Sequence, residues 1–178
     1  MSSMFFVSAR DKTTAEFLHR RIISGSGLLK QSPLYLLAFV LDERLDRYWA
    51  WLDGLRRQIS EIETVTGMVP DGWRMHVRPE DIRRLKKPVA RLKQLHGSQI
   101  QLSHLVIVLK FLLRLGTFCV EATTAVEELR GGLGLPKTKK SHEKMLFEHT
   151  EFFISRLESA QDKAQEVIER HQIQVNVV

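Results

Sequence analysis

The 178 residues carry 27 Lys and Arg against 21 Asp and Glu, a formal net charge of +6, and 43% of them are hydrophobic. That suits a single domain with ample apolar side chain for a core. One cysteine, Cys119, excludes an internal disulfide framework and fits a reducing, cytoplasmic compartment. Met4-Phe5-Phe6-Val7 is too short for the apolar region of a signal peptide.

The charge is uneven. Beyond Ser141 there are only four basic residues (Lys144, Arg156, Lys163, Arg170) and seven acidic ones, so a basic front precedes a mildly acidic last helix. Such asymmetry steers acidic partners or anionic membrane surfaces, or lets two parts of one fold face each other, and the latter is favoured.

Residues 1–31 are weakly patterned, with a short helix around Thr13–Ile23 and a linker at Ser24-Gly25-Ser26-Gly27. Ser32-Pro33 opens the first long helix, the serine capping free amides and the proline taking the first turn. Leu34, Leu37, Leu41, Leu45, Tyr48, Leu52, Leu55, Ile59 and Ile62 then recur at spacings of three or four. That period makes an apolar stripe along a helix about 50 Å long. Asp42, Glu43, Asp46, Arg47, Asp53, Arg56, Arg57, Glu61 and Glu63 are expected on its other faces, with Trp49 and Trp51 packed beside the stripe. Gly67 supplies the stop.

Val69 to Val77 reads as a connection with a turn at Pro70-Asp71-Gly72. Pro79 begins another helix, with Ile82, Leu85, Val89, Leu92 and Leu95 expected on one side and Pro88 kinking or splitting it. After Gly97, Ser98 or Ser103 is expected to start the second long helix, which ends at Gly131-Gly132. Its Leu105–Val120 stretch is apolar nearly all round, which predicts a central, many-sided contact. His104 to Ala122 is the best membrane candidate, but Lys110, Arg114 and Glu121 interrupt it. A spanning helix needs about 20 largely uncharged residues, so this reads as a core helix. Gly134 to Lys140 is a loop.

The last helix, 141–178, has no stop. Leu146, Phe153, Leu157, Ala160, Ala164, Val167, His171, Val175 and Val178 recur along it, and neither Gly nor Pro interrupts them. The missing stop predicts that this stalk-like helix continues beyond Val178 or docks its end on something, a homo-oligomer included. Leu157, Ala160, Ala164, Val167, His171 and Val175 form the candidate association surface. The fold expected is all-α, an elongated antiparallel bundle of three long helices plus shorter ones, with the bundle domain at 32–178 after the N-terminal segment.

No catalytic constellation is legible. His142-Glu143 begins like a zinc-protease helix, but Leu146 stands where the second ligand belongs. His142 and His149 are two turns apart, and the Glu16/His19 pair has no second copy. His171 is placed to bond across a helix interface. Cys119 lies in the most apolar stretch and reads as a buried, inert thiol. No cofactor is identified. Arg78, Arg83, Arg84, Lys86, Lys87, Arg91 and Lys93 form one basic cluster, and Lys137, Lys139 and Lys140 a second. Arg83, Arg84, Lys87, Arg91, Lys137, Lys139 and Lys140 are the candidate patch for an anionic lipid or nucleic acid. Nucleic acid is disfavoured, since no exposed aromatic platform interleaves with either cluster.

The run Leu36-Leu37-Ala38-Phe39-Val40-Leu41-Asp42-Glu43-Arg44-Leu45-Asp46-Arg47-Tyr48-Trp49, continuing to Ile62-Glu63-Thr64-Val65-Thr66-Gly67-Met68, resembles the cytosolic region of fungal CorA-like magnesium-transporter proteins. Gly97-Ser98-Gln99 to Leu102-Ser103, Phe152 to Ser159 and Gln174 to Val178 echo their later features, so the resemblance covers roughly Pro33 to Val178. It implies a stalk helix continuing into the membrane, five copies around an ion path, and outer helices that respond to magnesium. Magnesium is implied by this resemblance only, and no ligand position carries over. The pore motif Gly-Met-Asn is absent; Val69 follows Gly67-Met68. The resemblance implies a non-enzymatic domain acting through helix association and regulation of a channel at the cytosolic face of a membrane. The alternative is a stand-alone module whose exposed heptad seam receives a partner helix, or a binder of anionic lipid or nucleic acid.

Overall fold

The computed structural model describes residues 12–30, 32, 34–68, 79–136 and 138–177. The described residues form an all-α helical bundle: α1 (Lys12–Ser24), α2 (Ser26–Leu29), α3 (Leu34–Thr66), α4 (Pro79–Leu85), α5 (Pro88–Gly132) and α6 (Lys140–Val177). The Pro70-Asp71-Gly72 turn, Arg78, Lys137 and Val178 lie outside the described residues.

Two compact units divide the chain. The first holds Met1–Asp46 and Leu115–Ile154, the second Arg47–Arg114 and Ser155–Val178. The boundaries fall inside α3, α5 and α6, so each unit takes a part of each long helix.

In the first unit the Ser24–Gly27 linker is not open chain. It folds into the helical turn α2, with the Leu28 and Leu29 amides donating to the Gly25 carbonyl. Leu28 and Leu29 pack against Tyr35, Ala38, Phe39 and Leu146. Gly25 is required by space: a Cβ there would stand 2.6 Å from the Phe39 ring and 2.9 Å from the Arg21 carbonyl oxygen. Ser32 Oγ accepts from the Leu34 amide at 3.3 Å, capping α3. Tyr35 donates from its hydroxyl to the His142 carbonyl at 2.8 Å, and His149 Nε2 lies 2.9 Å from Asp42 Oδ2. These contacts join the start of α3 to the start of α6, so the two helices run in the same direction. At Gly116 of α5 a Cβ would sit 3.1 Å from Ile154 Cγ1, so the glycine allows α5 and α6 to approach closely.

In the second unit, Trp51 Nε1 donates to Gln101 Oε1 at 3.0 Å and Ser98 Oγ donates to Gln58 Oε1 at 3.2 Å. Sequence numbers rise along α3 as they fall along α5, the mark of antiparallel neighbours. Glu63 meets Arg170 and Thr66 meets Gln174, so α3 and α6 are parallel here as well. Every helix seam alternates steps of three and four. On α5 it runs Leu95, Ser98, Leu102, Leu105, Leu109 and Leu112, all buried. On α3 it includes Leu52, Leu55, Ile59 and Ile62, and on α6 Leu157, Ala160, Ala164, Val167, His171 and Gln174.

One boundary differs from the sequence expectation, the start of α5. Gly97 and Ser98 do not open α5, which starts at Pro88 and runs for 45 residues. A helical glycine costs about 1 kcal/mol, less than the flanking buried Leu95 and Leu102 contribute. Pro88 splits the segment, and the helix restarts in a new phase: Leu85 and Leu95 are buried while Val89 and Leu92 are exposed. The end of α5 at Gly131-Gly132 is as expected, and the turn after it closes at Gly134 (φ 66°), where the Leu135 amide donates to the Arg130 carbonyl at 2.9 Å and the Gly134 amide to Gly131 at 3.2 Å. Gly67 (φ 76°) ends α3 the same way, with the Met68 amide donating to the Glu63 carbonyl.

Replacing Gly25 by Ala is expected to destabilise the chain by about 1–3 kcal/mol through overpacking against Phe39. Gly27→Ala, which meets nothing within 4 Å, should be neutral or stabilising. Urea unfolding of the two variants measures the difference.

Candidate functional site

The helix-association candidates on α6 sit inside the second unit. Leu157, Ala160, Ala164, Val167 and His171 are each 4% exposed or less, packed within their own chain. Val175 lies elsewhere on the helix at 46% exposure, and Gln174 takes the seam position at 1%. After the step of four from Val167 to His171 the seam advances by three, to the glutamine. Thr66 Oγ1 donates to Gln174 Oε1 at 2.9 Å, and Gln174 Nε2 points to the Met68 sulfur at 3.7 Å.

A polar layer surrounds that position. Arg170 grips Glu63 as a fork, with Nε donating to Oε1 at 2.9 Å and Nη2 to Oε2. Nη2 also donates to Ser60 Oγ at 2.8 Å, and Nη1 reaches Glu166 at 3.4 Å. The hydrogen bond that Arg170 donates to Glu63 pushes its guanidinium above its ordinary range, against the opposing effect of burial. Glu63, expected on an outer face, is therefore 5% exposed; Glu43 is buried to the same degree. His171 Nε2 lies 2.8 Å from the Leu95 carbonyl oxygen, which can only accept, so Nε2 carries the proton. This layer is structural: its donors and acceptors are spent on one another. Glu63→Ala is expected to cost about 1–3 kcal/mol by orphaning the partly buried guanidinium. Glu166→Ala, removing a half-exposed partner, should cost about 0.5 kcal/mol or less. Chemical denaturation of both variants checks the contrast.

The basic candidates divide between the units. Arg83, Arg84 and Lys87 are exposed and Arg91 is half-buried, all in the second unit; Lys139 and Lys140 are exposed in the first. Arg84 is engaged by Asp81 at 3.4 Å and Gln94 at 3.3 Å. The groove beside it holds about 640 Å³ and is lined by Gln58, Glu61, Asp81, Lys93, Gln94 and Ser98 among others. Its acids and bases are balanced, and Gln94 already bridges the Gln58 carbonyl and Glu61.

Cys119 is buried in the first unit, and burial pushes its thiol above the ordinary value. A cavity of about 10 Å³ lies beside it among Leu41, Leu146, Thr150 and Phe153, too small for a ligand. Alkylation of Cys119 at neutral pH is therefore expected only when the chain unfolds, a rate that follows denaturant in a pulsed maleimide assay. Among the described residues no three His, Cys, Asp or Glu side chains converge to hold a metal ion. None of the described helices is long and apolar enough to cross a membrane.

One surface was missed by sequence reasoning. Along α5 in the second unit, Val89, Leu92, Ile100, Ile107 and Phe111 are each at least half exposed. At 3.6 residues per turn the five project within about 100° of one another, opposite the buried leucines. Lys93, His96, Ser103, His104, Lys110 and Arg114 are exposed between and beside them. At one edge the His104 ring meets Trp51, centroids 5.7 Å apart. The sequence signal was present as nearly all-round hydrophobicity, which predicts coverage on every side rather than an open face.

No family model, curated protein or solved structure matches this chain.

Proposed function

We propose that this chain is a non-enzymatic helical domain that works by association, and that its docking surface is the outward face of α5 in the second unit. One observation carries this reading. Five large apolar side chains stand in water on a helix whose opposite side already fills the core. The α6 stripe is consumed by the chain's own packing, which favours α5 as the face left for a partner.

An enzymatic role has less support: Cys119 is enclosed, and among the described residues it has no charged base beside it. The resemblance to the cytosolic region of CorA-like proteins extends the proposal to regulation of a channel, in the cytoplasm at a membrane face. Self-association or capture of a partner helix would both use the α5 face.

Because the native cysteine is buried, an added thiol is a clean probe. Ile107→Cys should react freely with maleimide in the purified chain. In cells expressing it, labelling should fall about tenfold, as expected when bound exceeds free by that ratio. Gln165→Cys, exposed on α6, should label equally in both settings. Equal labelling at Ile107→Cys as well would refute the docking role.

A further inference from the structure

We infer that the outward face of α5 in the second unit is a peripheral docking surface for an anionic lipid membrane. This inference rests on the docking role given to that face above and names what it docks to.

Charge identifies the class of partner. From Pro88 to Val120 there is no acidic residue, while Arg91, Lys93, Lys110 and Arg114 are basic. Among the described residues, Lys93, Lys110 and Arg114 have no ion pair within the chain. Lys110 and Arg114 are exposed on this face, while Lys93 also borders the groove that holds Glu61 and Asp81. A second copy presenting the same face would set these cations against each other, which disfavours self-pairing.

The arrangement suits a headgroup layer. At 3.6 residues per turn Lys93 and Lys110 fall at the two edges of the apolar sector, and Arg114 follows Phe111 by about one turn. Basic side chains flanking an apolar stripe are the pattern of a helix lying in an interface plane. Aliphatic and aromatic tips enter the acyl boundary while lysine and arginine stems extend to the phosphates. Trp51, half-buried at the His104 edge, supplies the amphipathic ring suited to that boundary. The opposite side of α5 is locked into the bundle by Leu102, Leu105 and Leu109, so the helix lies along the surface and does not insert across it.

The test is co-sedimentation of the purified full chain with vesicles. Phosphatidylcholine vesicles containing phosphatidylserine should bind it, and those of phosphatidylcholine alone should not. High salt should release it. Lys110→Glu with Arg114→Glu should weaken binding by more than about tenfold, and Ile107→Ser with Phe111→Ser should do the same. Circular dichroism should show unchanged helicity, since all four side chains are exposed. Lys139→Glu with Lys140→Glu, in the other unit, should leave binding intact. Absence of binding to the anionic vesicles overturns the inference, as does binding indifferent to salt or to the α5 substitutions. If Ile107→Cys is protected in cells while anionic vesicles fail to bind, the face docks a protein: the lipid assignment falls and the docking role stands. If neither is seen, both fall.

Discussion

Burial of three seams, each stepping alternately by three and four, is the constraint from which the other features follow. Leu95–Leu112 on α5, Leu52–Ile62 on α3 and Leu157–Gln174 on α6 each place one side chain per half-heptad into the interior. Small residues at Ser98, Ala160 and Ala164 let the backbones approach, and the large leucines opposite fill the space. Shifting one helix by a residue would rotate its stripe by about 100° away from the seam. The seam therefore specifies register as well as stability, and it determines which faces remain for anything else.

Pure hydrophobic packing tolerates sliding by a full heptad, and the polar layer removes that freedom. The guanidinium of Arg170 finds two carboxylate oxygens only when it lies opposite Glu63. Gln174 meets Thr66 one turn further on, and His171 reaches a carbonyl of α5 rather than a side chain. Any slip would strand these groups in apolar surroundings, at a cost of about 1–3 kcal/mol for each one left unsatisfied. Ion pairing across a seam thus does for register what leucines alone cannot.

Much of this was legible because α3 and α6 each present one apolar stripe. The Leu34–Ile62 spacing, the stop at Gly67, the division at Pro88 and the interior positions from Leu146 to His171 all follow from period and turn chemistry. The misses share a physical cause, since each turns on a contact distant in sequence. Gly97 reads as a break until α3 packs against the adjoining Ser98 through Gln58. Gly25 reads as a linker until Phe39 occupies the space that a side chain would fill. Valine outranks glutamine on any hydrophobicity scale, yet Gln174 is interior because Thr66 and Met68 give its amide partners. Glu63 looks like a solvent-facing residue until Arg170 arrives from more than a hundred residues away.

The α5 face explains why hydrophobicity that looked like centrality is a surface instead. A helix enclosed on all sides needs neighbours around its whole circumference, and in the second unit the buried positions of α5 follow a single seam. Ile100, Ile107 and Phe111 therefore exceed what the fold requires. Replacing them with polar residues would cost the folded chain little, as exposed substitutions generally lie within about ±0.5 kcal/mol. The charge distribution points the same way. In the second unit Arg170 of α6 pairs with a carboxylate of α3, whereas Lys110 and Arg114 of α5 have no ion pair among the described residues. Their positive potential appears on the same helix face as the excess apolar area. Either surplus alone is common on protein surfaces. Together on one rigid helix they define a surface suited to a partner that is both apolar and anionic.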